Sequence, residues 1–410
     1  MLMAERVPGG WASHYDYFSV EHVQGREKKI DSPRFLLIPP IGIGDAVAVG
    51  SSTADQIIKN DPTAYGKIDV LCNNVQAELF QHDPRINSII RPDPTLLPTM
   101  DRKTWMKAIF LDSRVMSLLQ FLRERDYEAV LPGIMAPGFY AQLRAPLMAY
   151  DVFKIAREVL SRRASTPMHI SSVVRKIVNN HFGIAPLQHA MHYEDIPLYM
   201  SAAYVQKAKM EIECLKRLSI VPTHRCKVIL VAPDTTSVVT RVPTYLLATG
   251  ISAALRNDPD LTVGILPGYT DTSSSANLLH MLSTDFAGRV TLMRSHPRPT
   301  LLETTALIDQ ANVFVTGDTG VMHLAAAIKK SRKDETREAL PANSVKMIAL
   351  FGGTNPWFYG YSTRSIILGR GRKEQEAFRP GIIKEYYNPK GKDFFDHIAP
   401  QELTENILAS

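Results

Sequence analysis

Short apolar runs recur along the chain, each closed by proline, glycine or asparagine. Each is followed by a stretch whose apolar positions return every three or four residues. In the first half the runs "RFLLIPP" (34–40), "KIDVLCN" (67–73), "INSIIRP" (86–92) and "EAVLPG" (128–133) predict strands, and "SRVMSLLQFLRERDY" (113–127) predicts a helix. Residues 140–185 show no legible period and carry the basic pairs Arg162-Arg163 and Arg175-Lys176. The stretch "IPLYMSAAYVQKAKMEIECLKRLSIVP" (196–222) predicts a connecting strand, then a helix capped by Ser201 and broken by Pro222.

After that break the alternation restarts. "KVILVAP" (227–233), "LTVGILPG" (261–268), "RVTLM" (289–293), "ANVFVTG" (311–317) and "VKMIALFGG" (345–353) predict strands. The helices expected with them include "TYLLATGISAALRN" (244–257), "TLLETTALIDQA" (300–311) and a short terminal one in "PQELTENILAS" (400–410). Strand–helix alternation of this kind builds parallel sheets covered by helices. The expected fold is therefore α/β, with two facing Rossmann-like parallel-sheet domains and a ligand cleft between them. The expected organisation is an extension at 1–33, a first domain at 34–221, a second at 222–385 and a tail with a helix at 386–410. The charged insert "KKSRKDETREALPANS" (329–344) reads as an exposed loop.

Composition narrows the class. The chain has 410 residues, 45% of them apolar and 21% charged, as in ordinary soluble domains. No apolar run reaches the roughly 18 residues a bilayer span requires, and the first residues lack the apolar centre of a signal peptide. Three scattered cysteines, Cys72, Cys214 and Cys226, argue against a disulfide framework or cysteine zinc site and for a reducing compartment, by default the cytoplasm. The net charge of +6 favours anionic partners. Between Arg370 and Lys392 seven Lys/Arg face three Asp/Glu, interleaved with Phe378, Tyr386 and Tyr387. That stretch is either a solvated basic surface or a contact face for an anionic partner, peripheral membrane contact included.

Two strand-to-helix corners carry candidate chemistry. At the first, "VFVTGDTGVMHLAAA" (313–327) turns through Gly317-Asp318-Thr319-Gly320. A helix starting near Thr319 presents unpaired amides and the positive end of its dipole, a favourable seat for phosphate oxygens. Gly317 and Gly320 permit close approach, and Thr319 adds a hydroxyl. Asp318 or Thr319 serves either that purpose or only as a helix cap. His323, four residues beyond Thr319, either helps to bind a phosphate or packs as a buried, hydrogen-bonded histidine. At the second corner, "IPPIGIGDAVAVGSS" (38–52) fails the dinucleotide fingerprint because Val47 replaces its third glycine. What remains is Asp45 at a helix start behind Gly42 and Gly44, either a cap or a general base at the mouth of the sheet.

These blocks, with "VILVAPDTTS", "ILPGYTD", "ALIDQANVFVTGDTGVMHLAAA" and "IALFGGTNPW" in unbroken order over about 34–370, resemble the bacterial heptosyltransferases, glycosyltransferase family nine. The resemblance implies a GT-B fold with the acceptor side N-terminal and the nucleotide-sugar side C-terminal. It further implies inverting, metal-independent transfer of heptose from ADP-heptose to a hydroxyl of the lipopolysaccharide core, without a cofactor. Carried over, Asp45 matches the catalytic base and Gly42 and Gly44 lie in the acceptor loop. Asp318, Thr319, Gly320 and Val321 match the donor block, to which His323 belongs. Asp271 falls where the family has a ribose-contacting glutamate. The family's lysine before Trp-Pro is replaced in "VVTRVPTY" by Thr240, with Arg241 next and Val242 in place of the tryptophan. Arg241 is the expected phosphate partner, and the donor is a nucleotide sugar, ADP-heptose by default. A non-catalytic nucleotide-sugar-binding protein, or the same chemistry on a natural-product, protein or nucleic-acid acceptor, remains the alternative.

Overall fold

In a computed structural model, the structure describes residues 18–23, 33–39, 42–93, 113–131, 169–184, 196–217, 226–235, 237, 240–269, 272–293, 299–331, 345–352, 354, 356–361, 365–369 and 394–409. The first sheet is built from β1 (Phe18–His22), β2 (Phe35–Leu37), β3 (Ile68–Leu71), β4 (Ile86–Pro92) and β5 (Ala129–Leu131) in the order β1-β4-β3-β2-β5. All its pairs are parallel except the edge pair β1–β4. β2 is buried on both faces, which accounts for its unbroken apolar run.

From β2 the chain enters α1 (Ile43–Asp45), continues through a wider π-helical turn at Ala46–Ser51, and emerges as α2 (Ser52–Asn60). α3 (Asn74–Phe80) opens with a capping box, in which Asn73 accepts from the amide of Gln76 and Gln76 from that of Asn73. α4 (Ser113–Glu124) follows as expected, and α5 (Ile170–His181) falls in the stretch whose period is not legible.

β6 (Pro197–Met200) and α6 (Ala202–Arg217) lead to the second lobe, with Ser201 accepting from the amide of Ala203. There β7 (Lys227–Ala232), α7 (Thr244–Asn257), β8 (Leu261–Ile265), α8 (Ser273–Phe286), β9 (Val290–Leu292), α9 (Leu301–Ile308), β10 (Val313–Gly317) and α10 (Gly320–Ala326) alternate. β11 (Ile328–Ser331), β12 (Lys346–Phe351), α11 (Pro356–Tyr359), β13 (Ser365–Gly369) and α12 (Pro400–Leu408) complete it. The second sheet runs β13-β12-β10-β7-β8-β9, parallel throughout. α12 lies on α7 at Gly250, where Leu403 fills the space a side chain would need and the Thr404 hydroxyl donates to the Gly250 carbonyl.

One expectation is corrected. The charged insert does not begin as an exposed loop: Lys329–Ser331 belong to β11, which pairs in parallel with β6. Lys329 is buried because its ammonium meets Asp309 at 2.8 Å and the Ala325 carbonyl at 2.5 Å, so its charge is compensated inside the protein. Residues 332–344 lie outside the described residues.

The two lobes share one apolar core. Residues of α3, β6 and α6 cluster with residues of α9 and α10. Glu78 on α3 accepts from the amide of Leu301, the first residue of α9, at 2.7 Å, and Lys207 on α6 pairs with Glu303 at 2.8 Å.

Candidate active site between two strand–helix corners

In an open parallel sheet a crevice forms where neighbouring strands send their connections to opposite faces, at the carboxyl ends of those strands. The strand order puts that point between β2 and β5 in the first sheet and between β7 and β10 in the second. β2 leads into Gly42–Asp45 and β10 into Asp318–Gly320, so both corners singled out in the sequence lie at switch points.

The corners touch. A Cβ on Gly320 would lie 2.7 Å from Cβ of Ile43 and 3.4 Å from the amide nitrogen of Gly44. One on Gly44 would lie 2.4 Å from Cδ2 and 2.9 Å from Nε2 of His323. The glycines are required because the starts of α1 and α10 cross at van der Waals distance. Gly42 is the N-cap of α1, its carbonyl accepts from Ala46 at 2.9 Å, and Asp45 is the third residue of that helix.

On α10 the N-cap is Thr319, extended at φ −138° and ψ 169°, and its side chain makes no capping hydrogen bond. Its hydroxyl instead meets that of Thr316 at 3.2 Å. Gly320 and Val321 open the helix, and Val321 packs partly on the shared core. Ala325, Ala326 and Ala327 are all buried, as their size suggests.

His323 is buried. Its Nδ1 lies 2.8 Å from the hydroxyl of Tyr361, and its Nε2 faces Oδ1 of Asp318 at 3.8 Å. Burial, with His169 nearby, pushes its pKa down to about 3, so the ring is neutral. Of the two sequence readings, this geometry is that of the buried, hydrogen-bonded histidine, at the junction of the two corners.

The 240–242 stretch borders the donor-side corner. The carbonyl of Thr240 and Cγ2 of Val242 lie 2.8 Å and 3.0 Å from where a Gly317 Cβ would stand. Val242 is buried where the family pattern has a tryptophan, and the Arg241 guanidinium donates to the carbonyl of Thr235 at 3.1 Å. Asp271 lies outside the described residues. The D-x-D spacing of the second lobe, Asp258-Pro259-Asp260, stands before β8, at the amino end of the sheet and away from these corners.

Asp234 is a site residue that the sequence reading missed. It follows β7 at the switch point, and its carboxylate accepts from the amides of Gly268 and Ser274 at 2.9 Å and of Ser275 at 3.1 Å. It thereby caps α8, whose own N-cap Thr272 makes no side-chain bond. Its partners are 34 to 41 residues away, so no local spacing announces it.

Residues 289–386 match the model of glycosyltransferase family 9 (heptosyltransferase). No curated protein matches the chain in sequence. Among solved structures, the glycosyl transferase family 9 protein of Veillonella parvula DSM 2008 is similar with TM-score 0.59 at 14% identity, over 94% of this chain and 98% of that one. The E. coli ADP-heptose lps heptosyltransferase II is similar with TM-score 0.57 at 18% identity, over 92% of this chain and 98% of that one. The matched segment contains α9, β10, α10 and Tyr361, hence the whole corner at Asp318. Over that segment the chain is similar to glycosyltransferase family 9, and its two Rossmann-like sheets, like those of the two solved structures, give it the GT-B fold.

Proposed function

We propose that the protein moves a sugar, heptose by default, from a nucleoside-diphosphate sugar to an acceptor hydroxyl by a single inverting displacement. ADP-heptose is the default donor and the lipopolysaccharide core the default acceptor, with neither metal nor cofactor taking part. The observation that carries this reading is the crossing of α1 and α10 at Gly44 and Gly320, which joins the helix of Asp45 to the corner of Asp318.

Asp45 takes the proton of the acceptor hydroxyl as its oxygen bonds to the anomeric carbon. The bond from that carbon to the diphosphate breaks, and the electron pair leaves with the phosphate oxygen. A positioned general base contributes about 10²- to 10⁴-fold. Thr319, Gly320 and Val321 line the seat of the leaving group, and Arg241 supplies positive charge beside it. Asp318 and His323 close the wall between the corners, and Asp271 contacts the ribose. The net charge of +6 suits an anionic acceptor or a peripheral membrane contact. Three free cysteines suit a cytoplasmic protein.

The test is Asp45→Asn assayed with ADP-heptose and a lipopolysaccharide-core acceptor, following ADP release. Turnover falls at least about a hundredfold while donor affinity stays nearly intact. Near-normal turnover in that variant removes Asp45 from the mechanism.

A further inference from the structure

We propose that Tyr361 is a positioning residue for the transfer reaction, acting through His323 on the carboxylate of Asp318. The inference rests on the reading of the cleft given above.

Tyr361 is fully buried, and its ring is wedged between two histidines from different lobes. On one side is His169, the residue that caps α5 in the first lobe, with ring centroids 4.7 Å apart. On the other is His323 of α10, with centroids 5.6 Å apart and the rings edge to face. The Tyr361 hydroxyl reaches Nδ1 of His323 at 2.8 Å.

The proton positions follow from the partners. A neutral imidazole carries one N–H. A carboxylate only accepts, and Asp318 lies on the Nε2 side. The N–H is therefore on Nε2, and Nδ1 accepts from the tyrosine hydroxyl. With Asp318 setting the tautomer, the Tyr361 hydroxyl donates to Nδ1 and holds the ring with its N–H directed at Asp318. At 3.8 Å the contact from Nε2 to Oδ1 is electrostatic, and a shift of about one ångström makes it a hydrogen bond. Asp318 immediately precedes the N-cap of α10, so its orientation sets the charge at the corner where the diphosphate is proposed to leave. His169 of the first lobe takes no part in the relay itself but packs on the Tyr361 ring from the other side.

The experiment compares wild type, Tyr361→Phe, His323→Gln and the double variant, each as the full chain. Phenylalanine keeps the ring between the histidines and removes only the hydroxyl. With ADP-heptose as donor, Y361F lowers kcat about tenfold and changes donor KM less than about threefold. In the His323→Gln background, adding Y361F costs less than about twofold, since the two residues act in one chain. Nitrogen NMR of labelled histidines shows His323 as a single Nε2–H tautomer in wild type, and its Nδ1 signal shifts in Y361F, where the hydroxyl donor is gone.

A kcat within about twofold of wild type, a Y361F loss that persists in H323Q, or unchanged His323 nitrogen signals each overturns the inference. A wild type that releases no ADP from ADP-heptose sinks the transfer reading and this inference with it. The nitrogen signals tell that case apart, because they report the Tyr361–His323 link without turnover.

Discussion

A methyl group on Gly44 would lie 2.4 Å from Cδ2 of His323, so the first lobe meets the second at this point with no space to spare. His323 cannot simply swing aside, since Tyr361 holds its other edge at 2.8 Å. Gly44→Ala therefore destabilises the protein by about 1–3 kcal/mol, as overpacking does, and lowers turnover by parting the corners. Adding His323→Ala restores the room, so the pair is non-additive in a double-mutant cycle of melting temperatures. Additive losses would show that the two residues do not meet.

The neutral state of His323 fixes a pH dependence. Its pKa is lowered from 6.5 to about 3 by burial and by His169. Above pH 6.5 the ring is neutral whether the chain is folded or not, and this group contributes no slope. Between 6.5 and about 3 the unfolded chain binds a proton that the folded one refuses, so stability falls as the pH falls. The slope approaches about 1.4 kcal/mol per pH unit. Denaturation midpoints from pH 7.5 to 5 in wild type and His323→Gln check this, and the variant shows the shallower slope.

Asp234 satisfies three amides at the edge of the switch-point crevice. Asp234→Ala leaves them without that acceptor and costs roughly 2–3 kcal/mol, while Asp234→Asn, which keeps one acceptor oxygen, costs less. The loop these bonds hold borders the crevice, so donor KM rises more than kcat falls in both variants. Steady-state kinetics beside thermal melts separates this outcome from a loss of fold alone.

What was legible depended on how local the signal was. The strand–turn–helix at Val313–Ala326 was readable because its apolar run, two glycines and alanine-rich helix are contiguous. The helix at Thr244–Asn257 was readable from its period. β1 was missed because an antiparallel edge strand of sequence FSVEH exposes part of its length and has no apolar run. α5 was missed because its cap is His169, outside the usual capping set. The burial of Lys329 required Asp309, twenty residues earlier, to be brought beside it. Asp234 and Tyr361 act on partners dozens of residues away, and only the folded chain assembles them.

The bond from the Leu301 amide to Glu78 has its donor in one lobe and its acceptor in the other. Any excursion that separates the lobes breaks it and exposes that amide to solvent. Deuterium uptake at Leu301 is therefore a direct clock for opening, slowed by whatever holds the lobes shut and quickened in Glu78→Ala.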